Sequence, residues 1–287
     1  MDRQNQTFTL TFGDQAENHV GMQKVGSLSS VGYNREDLCK AQEWFEKRDA
    51  KCELINLPTF LPDDKTFDGD ALVLVVRNGL KAILTPQYSS DEFFEEQSKL
   101  PKDSKALMYG RVVRKKARHN LCFADESQEP DYENGKGRLV SYESVPILKK
   151  VRRELVNVIG DKAKDLVVEG NYYYDKSCGI GFHGDAERMK VIGVRVGATI
   201  PLHFQWFQKC NPVGSRIKIN LSHGDMYIMC QKATGNDFKK KNILTLRHAA
   251  GHEKYLTIKT KKRKLEEEPK KIKRLRINKI FYKKFDL

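Results

Sequence analysis

The sequence predicts an α+β chain that is mainly β, and three observations carry that reading. From residue 166 onward, short apolar runs follow one another with turns between them: LVVEGNYYY, GIGFHGD, VIGVRVG, LHFQWF, RIKINL, MYIM and ILTLRHA. Alternation is clear in Leu202, Phe204 and Trp206, and again in Ile217, Ile219 and Leu221, the period-two pattern of strands with one buried face. Upstream of these, two stretches show helical spacing instead. Several short strands at such intervals mean a sandwich or a barrel, here with helices placed before it.

Taken in order, Thr7–Phe12 reads as a short strand, followed by the polar, turn-like run GDQAENHVGMQKVG. His19 lies in that run beside Glu17 and Asn18 and reads as a loop or helix-start histidine. Residues 35–50 form a helix candidate, because Leu38, Ala41, Trp44 and Phe45 fall on one helical face and Asn34 can cap its start. In ALVLVVRNGLKAI, at 71–83, apolar residues flank Asn78-Gly79, which predicts a hairpin. Residues 62–70 and 86–104 read as acidic, polar connections. Residues 1–104 are therefore expected to form a small α+β module whose sequence names no chemistry.

Between 105 and 150 the character changes. ALMYGRVVRKKARHNLCF sets Arg111, Arg114, Lys115, Lys116 and Arg118 among Tyr109 and Phe123. Cations interleaved with aromatics suit a phosphate-contacting surface, and equally a solvated edge strand. A helix is expected from Ser144, with Pro146 in its first turn and Leu148, Val151 and Leu155 on its apolar face, running to Val158 and ended by Gly160.

Net charge is +14, and it is unevenly spread. Residues 256–287 hold 13 Lys/Arg against 4 Asp/Glu, a net of +9, which leaves only +5 for the rest. The basicity is largely a tail, so it argues weakly for a basic groove on the folded body. KKRK within it resembles a nuclear-localisation run, and the same charge suits nucleic acid or a plain disordered tail. No run of about 18 apolar residues exists, so no membrane span is expected, and the first residues lack the apolar core of a signal peptide. Six scattered cysteines without a CxxC favour reduced thiols and an intracellular location, with the nucleus or a host compartment as refinements.

The stretch NYYYDKSCGIGFHGD, residues 171–185, concentrates the chemistry. His183 and Asp185, two apart on a strand, point to one face, as two corners of the 2-His-1-carboxylate site that holds non-haem Fe(II). Gly184 between them lets the backbone pass close to a metal or ligand. GIGFHG formally matches GxGxxG, but a dinucleotide site needs a strand before it and a helix after it, and here strand follows. A second His-x-Asp, at His223-Gly224-Asp225, has the composition of a turn.

Asn171 and Tyr173, the His183-Gly184-Asp185 triplet, the later GDMYIM and the final LTLRHAAG together resemble the AlkB-type branch of the Fe(II)/2-oxoglutarate dioxygenases. YGR…ARHNLCF resembles that family's lead-in. The likeness covers about 105–251. Through GDQAENHVGM it extends more loosely over nearly the whole chain, toward AlkB-like proteins of large DNA viruses, fungi and algae. The resemblance implies a double-stranded β-helix (jelly roll) at 105–255, an N-terminal α+β module at 1–104 and a basic tail at 256–287. It implies Fe(II), 2-oxoglutarate and O2, and oxidative demethylation of alkylated nucleobases in DNA or RNA. A protein hydroxylase, or a jelly roll that binds nucleic acid without turnover, are the alternatives.

Carried over residue by residue, the resemblance makes His183 and Asp185 iron ligands and Arg247 the arginine that grips the 2-oxoglutarate carboxylate, with Thr245 on the same face and Lys241 in the place of a second cation. Asn171 matches a side chain that hydrogen-bonds the cosubstrate, and one extra residue before the HGD leaves Tyr173 or Tyr174 for the other. The family's distal iron histidine should lie ten or more residues before Arg247, where this chain has Asp237. Neighbours on a strand face opposite ways, so Arg247 and His248 are not expected to enter one site together. Three outcomes remain: Asp237 as third ligand, His248 through a bulge, or no third ligand.

Overall fold

The computed structural model describes residues 3–258. The basic-tail reading falls almost wholly outside them. Along β1 (Thr7–Gly13), Phe8, Leu10 and Phe12 alternate with Thr7, Thr9 and Thr11. The apolar set joins the main core, whereas Thr9 and Thr11 line a cavity. This two-faced strand sits near the middle of the fold. Two short strands, β2 (Gln15–Glu17) and β3 (Lys24–Gly26), pair beyond it.

The helix expected at 35–50 is α1 (Arg35–Glu46), started by Asn34 and Asp37 in a reciprocal capping box. The strands β4 (Lys51–Asn56) and β5 (Leu72–Arg77) pair antiparallel. The hairpin expected at Asn78-Gly79 does not form. Asn78 takes a left-handed conformation (φ 51°) and α2 (Gly79–Leu84) begins at once. Asp225 accepts the Asn78 backbone N–H at 2.9 Å, and Leu80, Ile83 and Leu84 are buried at helical spacing. The connection expected at 86–104 holds a further helix, α3 (Ser90–Lys99), whose Ser89 and Glu92 form another capping box and whose Phe93 and Phe94 enter the core.

The cationic stretch becomes a hairpin of β6 (Lys105–Met108) and β7 (Arg111–Arg114), with Tyr109 at its tip 95% exposed. Then come β8 (His119–Ala124), β9 (Leu139–Ser141) and α4 (Pro146–Ile159), which starts at its proline and stops at Gly160 as expected. Seven strands follow: β10 (Val167–Tyr173), β11 (Gly179–His183), β12 (Val191–Gly197), β13 (Ile200–Gln208), β14 (Asn211–Leu221), β15 (Met226–Met229) and β16 (Thr245–Gly251). They match the apolar runs of the sequence, and His223-Gly224 forms the turn before β15.

The strands build an eight-stranded sheet, β4-β5-β15-β12-β1-β10-β8-β9, and a four-stranded one, β11-β16-β13-β14. The large sheet is antiparallel except between β8 and β9. Helices α1–α4 pack against one another and against its outer face. The small sheet turns Leu202, Phe204, Trp206, Ile217 and Leu246 inward. The result is a β-rich α+β fold, and the boundary expected at 104/105 falls inside a single sheet, because β1, β4 and β5 hydrogen-bond with strands from beyond it. Among the described residues no helix is long and apolar enough to cross a membrane.

Candidate metal centre and its cavity

On the inner face of the large sheet, period-two alternation brings polar residues into register. Asn171, Thr9 and Arg195 form one row across β10, β1 and β12, and Glu169, Thr11 and Gly193 form the next. Tyr227 faces Gly193 from β15, and a Cβ on Gly193 would lie 2.0 Å from its ring, so only glycine lets this tyrosine cross the strand. The sheet thus presents an apolar face to the helices and a polar face to a cavity of about 340 Å³, within the usual range of small-molecule sites.

The small sheet closes the cavity with β11 and β16. His183 pairs with His248 across these strands, next to an irregularity between Ile180 and His183. Asp185 follows, its backbone N–H donating to Thr234 O at 3.0 Å. Gly184 lies so close to Gly235 that a Cβ would stand 2.1 Å from the carbonyl oxygen; the close approach that requires glycine here is to the Gly235 backbone. His183 Nε2 and His248 Nε2 each lie 3.6 Å from Asp185 Oδ1. One donor atom from each of the three residues falls within 4.8 Å of the others, a group able to hold a metal ion.

The two imidazoles are prepared differently. His183 Nδ1 stands 2.8 Å from Gly181 O, which fixes its proton on Nδ1 and leaves Nε2 free to bind. His248 is buried, and its Nδ1 has no hydrogen-bond partner among the described residues. Burial, with His183 and Arg188 adding to it, holds the His248 pKa well below the ordinary histidine value, so the ring is neutral, the form that ligates metals.

The third ligand expected at Asp237 is corrected. Asp237 accepts from Lys232 Nζ at 2.6 Å and is absent from the three-residue cluster. It sits in the loop after the single 3-10 turn Gln231–Thr234, where Lys232 neutralises it. His248 takes the place without a bulge in its own strand, since β16 stays in regular register with β13. Neighbours on β16 do face opposite ways, and the one that enters is His248. Arg247 consequently points away: it does not line the cavity, and its guanidinium carbon lies 4.3 Å from the Phe207 ring centroid and 5.7 Å from that of Phe238. Thr245 Oγ1 donates to Phe207 O, and Lys241 is exposed, so neither reaches the cavity.

Asn171 and Tyr173 do line it. Tyr174 is turned outward, donating from its hydroxyl to Lys116 O at 2.9 Å. Asn171 Oδ1 accepts from Arg118 Nε at 2.5 Å and from Asn120 Nδ2 at 2.8 Å. Beside it Glu169 accepts from Arg188 Nη2 at 2.6 Å, both side chains being buried. Burial pushes the Glu169 carboxyl up, but Arg188 and Arg118 outweigh burial and hold it below its ordinary range. Arg188 Nε also lies 3.8 Å from Asp185 Oδ2.

Sequence reasoning missed several lining residues. Glu17 at the end of β2, and Asn18 and His19 just after it, reach the cavity. Arg195 is 1% exposed, and its Nε and Nη1 have no hydrogen-bond partner among the described residues. Its signal was available: VIGVRVG is apolar throughout except for one arginine, and a central strand does not carry an unneutralised cation without a reason.

Fold and site together define a β-rich α+β protein with two histidines and one carboxylate converging between facing sheets. The chain belongs to a family that includes "Uncharacterized protein R156" of Acanthamoeba polyphaga mimivirus, with which it is 48% identical over 253 residues, 88% of this chain and 98% of that protein. No family model matches the chain.

Proposed function

We propose that the protein is an AlkB-like Fe(II)- and 2-oxoglutarate-dependent dioxygenase that demethylates alkylated nucleobases in DNA or RNA. The observation that carries this reading is the convergence of His183, Asp185 and His248 on one point of a cavity between the two sheets. Two neutral imidazoles and one carboxylate are the donor set of non-haem Fe(II) oxygenases, which keep coordination positions open. The orphaned, neutral His248 ring and the oriented His183 ring fit such an ion. Iron, when bound, supplies the oxidising chemistry. The chain's own part is to hold the ligands, to orient His183 through the contact of its Nδ1 with Gly181 O, and to keep the buried His248 ring neutral.

The strand path supports a jelly roll. From β10 to β16 the chain alternates between the sheets: β10, β12 and β15 lie in the large one, and β11, β13 with β14, and β16 in the small one. A further large-sheet strand is needed between β10 and β12 to complete two Greek keys, and β1 occupies that place. The reading is a jelly roll in which β1 takes the place of the missing strand.

Nucleic acid as substrate is supported by exposed cations adjacent in sequence to two cavity-lining residues, Arg118 and Phe238. Arg111, Arg114 and Lys116 are exposed around the hairpin tip at Tyr109, on the stretch that leads to Arg118 in the cavity wall. Lys239, Lys240 and Lys241 are exposed beside Phe238, which also lines it. Cations flanking aromatics suit phosphates and unstacked bases. The test is succinate release from 2-oxoglutarate under O2 with Fe(II) and methylated oligonucleotides. Wild type releases succinate and demethylates, and His183→Ala does neither. Wild type giving no more succinate than a protein-free blank overturns the proposal.

A further inference from the structure

Among the described residues Arg195 is the buried cation with the most unpartnered donors: its Nε and Nη1 both lack a hydrogen-bond partner, against Nε alone in Arg188 and in the less buried Arg247. The strand position of Arg195 is opposite Thr9, whose Oγ1 is also buried without a hydrogen-bond partner among the described residues. Both side chains line the cavity that His183, Asp185 and His248 share, as do Tyr173 and Tyr227. The neighbouring acid, Asp225, is already engaged: it accepts from Arg77 Nη1 and from the backbone N–H groups of Asn78 and Ser222. A guanidinium taken out of water with donors unused is costly, and a site that retains one needs an anion. A planar fork of donors matches a carboxylate by two parallel hydrogen bonds, with a hydroxyl beside it as a further donor.

We propose that Arg195, with Thr9 beside it, is the carboxylate-binding site of this cavity and takes the far carboxylate of a small dicarboxylate whose other end faces the His183/Asp185/His248 cluster. Arg247, which matches a family motif but is stacked near Phe207, has no part in it. The assignment rests on the dioxygenase reading for the identity of the dicarboxylate, 2-oxoglutarate, and on the structure for the position of the grip. The grip then comes from β12, with a hydroxyl from β1, and not from the strand that carries the second histidine. Thr9 and Arg195 are far apart in sequence and adjacent only through the sheet, so no linear motif contains the site.

The experiment is calorimetric titration of the full chain, loaded with Mn(II) without O2, with 2-oxoglutarate, succinate or inorganic phosphate. Wild type binds 2-oxoglutarate more tightly than phosphate. Arg195→Met weakens 2-oxoglutarate by about 30-fold or more, the lower bound for removing one partner of a buried charged contact. Arg247→Met stays within about threefold of wild type, because its side chain lies outside the cavity. Without ligand, Arg195→Met melts at or above the wild-type temperature, since an unpaired buried cation has been removed, and it loses the ligand-induced rise. Arg195→Lys keeps the charge without the fork, and it binds more weakly than wild type.

Wild-type affinity in Arg195→Met, the loss falling on Arg247→Met instead, or tighter binding of phosphate each overturns the proposal. So does an Arg195→Met chain that melts well below wild type, which would mark a structural arginine. A wild type that holds Mn(II) but takes no carboxylate overturns the grip and leaves the metal site standing. Carboxylate binding that depends on Arg195 in a chain without metal affinity upholds the grip and overturns the dioxygenase reading.

Discussion

Glu169→Gln tests how the cavity wall is held together. The substitution preserves size and shape and removes one charge from a pair in which Arg188 is 4% and Glu169 5% exposed, 2.6 Å apart. Breaking a buried ion pair from one side costs about 3–5 kcal/mol, because the remaining charge stays buried without its partner. Two features place this case at the low end. Arg188 keeps Glu187 at 3.1 Å and Asp185 at 3.8 Å, and the new amide oxygen can still accept from Asn120 and Asn171. The expected loss is therefore about 3 kcal/mol, a fall of roughly 6–12 °C in melting temperature for a chain of this size. Urea unfolding followed by tryptophan fluorescence measures it, with thermal unfolding by circular dichroism alongside. The double variant Glu169→Met/Arg188→Met should recover most of the loss, because neither charge is then stranded. A Glu169→Gln chain within about 0.5 kcal/mol of wild type, or a double variant worse than both singles, would refute the reasoning.

Three further outcomes are expected. His248→Ala should lose Co(II) binding, followed by the visible absorption of the bound ion, while Asp237→Ala keeps it; the reverse pattern would restore the sequence-based choice of ligand. Gly193→Ala should lower stability by about 1–3 kcal/mol, since its methyl group meets the buried Tyr227 ring, and urea midpoints unchanged from wild type would contradict the packing. Burial lowers the Lys102 pKa to about 8, so the unfolded chain binds more protons than the folded one above that pH, and stability should rise from pH 8 toward 9.5. Lys102→Met should remove part of that slope, up to about 1.4 kcal/mol per pH unit, and an unchanged slope in chemical denaturation would count against the burial argument.

What could be read in the sequence followed local physics. α1 has a capping box, α4 a proline at its start and a glycine at its end, and each has apolar spacing within one segment; both formed near where expected. His183 and Asp185 were found from the period of a strand, although β11 ends at His183 and Asp185 reaches the cluster from just beyond it. α3 was legible too, since Ser89 and Glu92 spell a capping box, but its acidic composition masked it. Asn78-Gly79 misled because the pair is a turn signal between any two apolar runs, and Asp225, distant in sequence, decides that a helix follows. The third ligand required knowing which face of β16 looks inward, and that is set by its pairing with β13 and β11. Arg195 and Thr9 meet only because β1 lies beside β12, a contact between distant segments that no periodicity encodes.

The placement of β1 also bears on how the protein comes into being. Its two hydrogen-bonding neighbours are residues 167–173 and 191–197, so β1 is made well before either of its partners. At ordinary elongation rates that delay is on the order of ten seconds. Until then Phe8, Leu10 and Phe12 lack both strand partners, and an apolar segment with open edges is prone to recruit strands from other nascent chains. Contacts of such long sequence separation also slow folding. Yield in a living cell should accordingly depend on chaperones that shelter the emerging N-terminus more than on the stability of the finished protein.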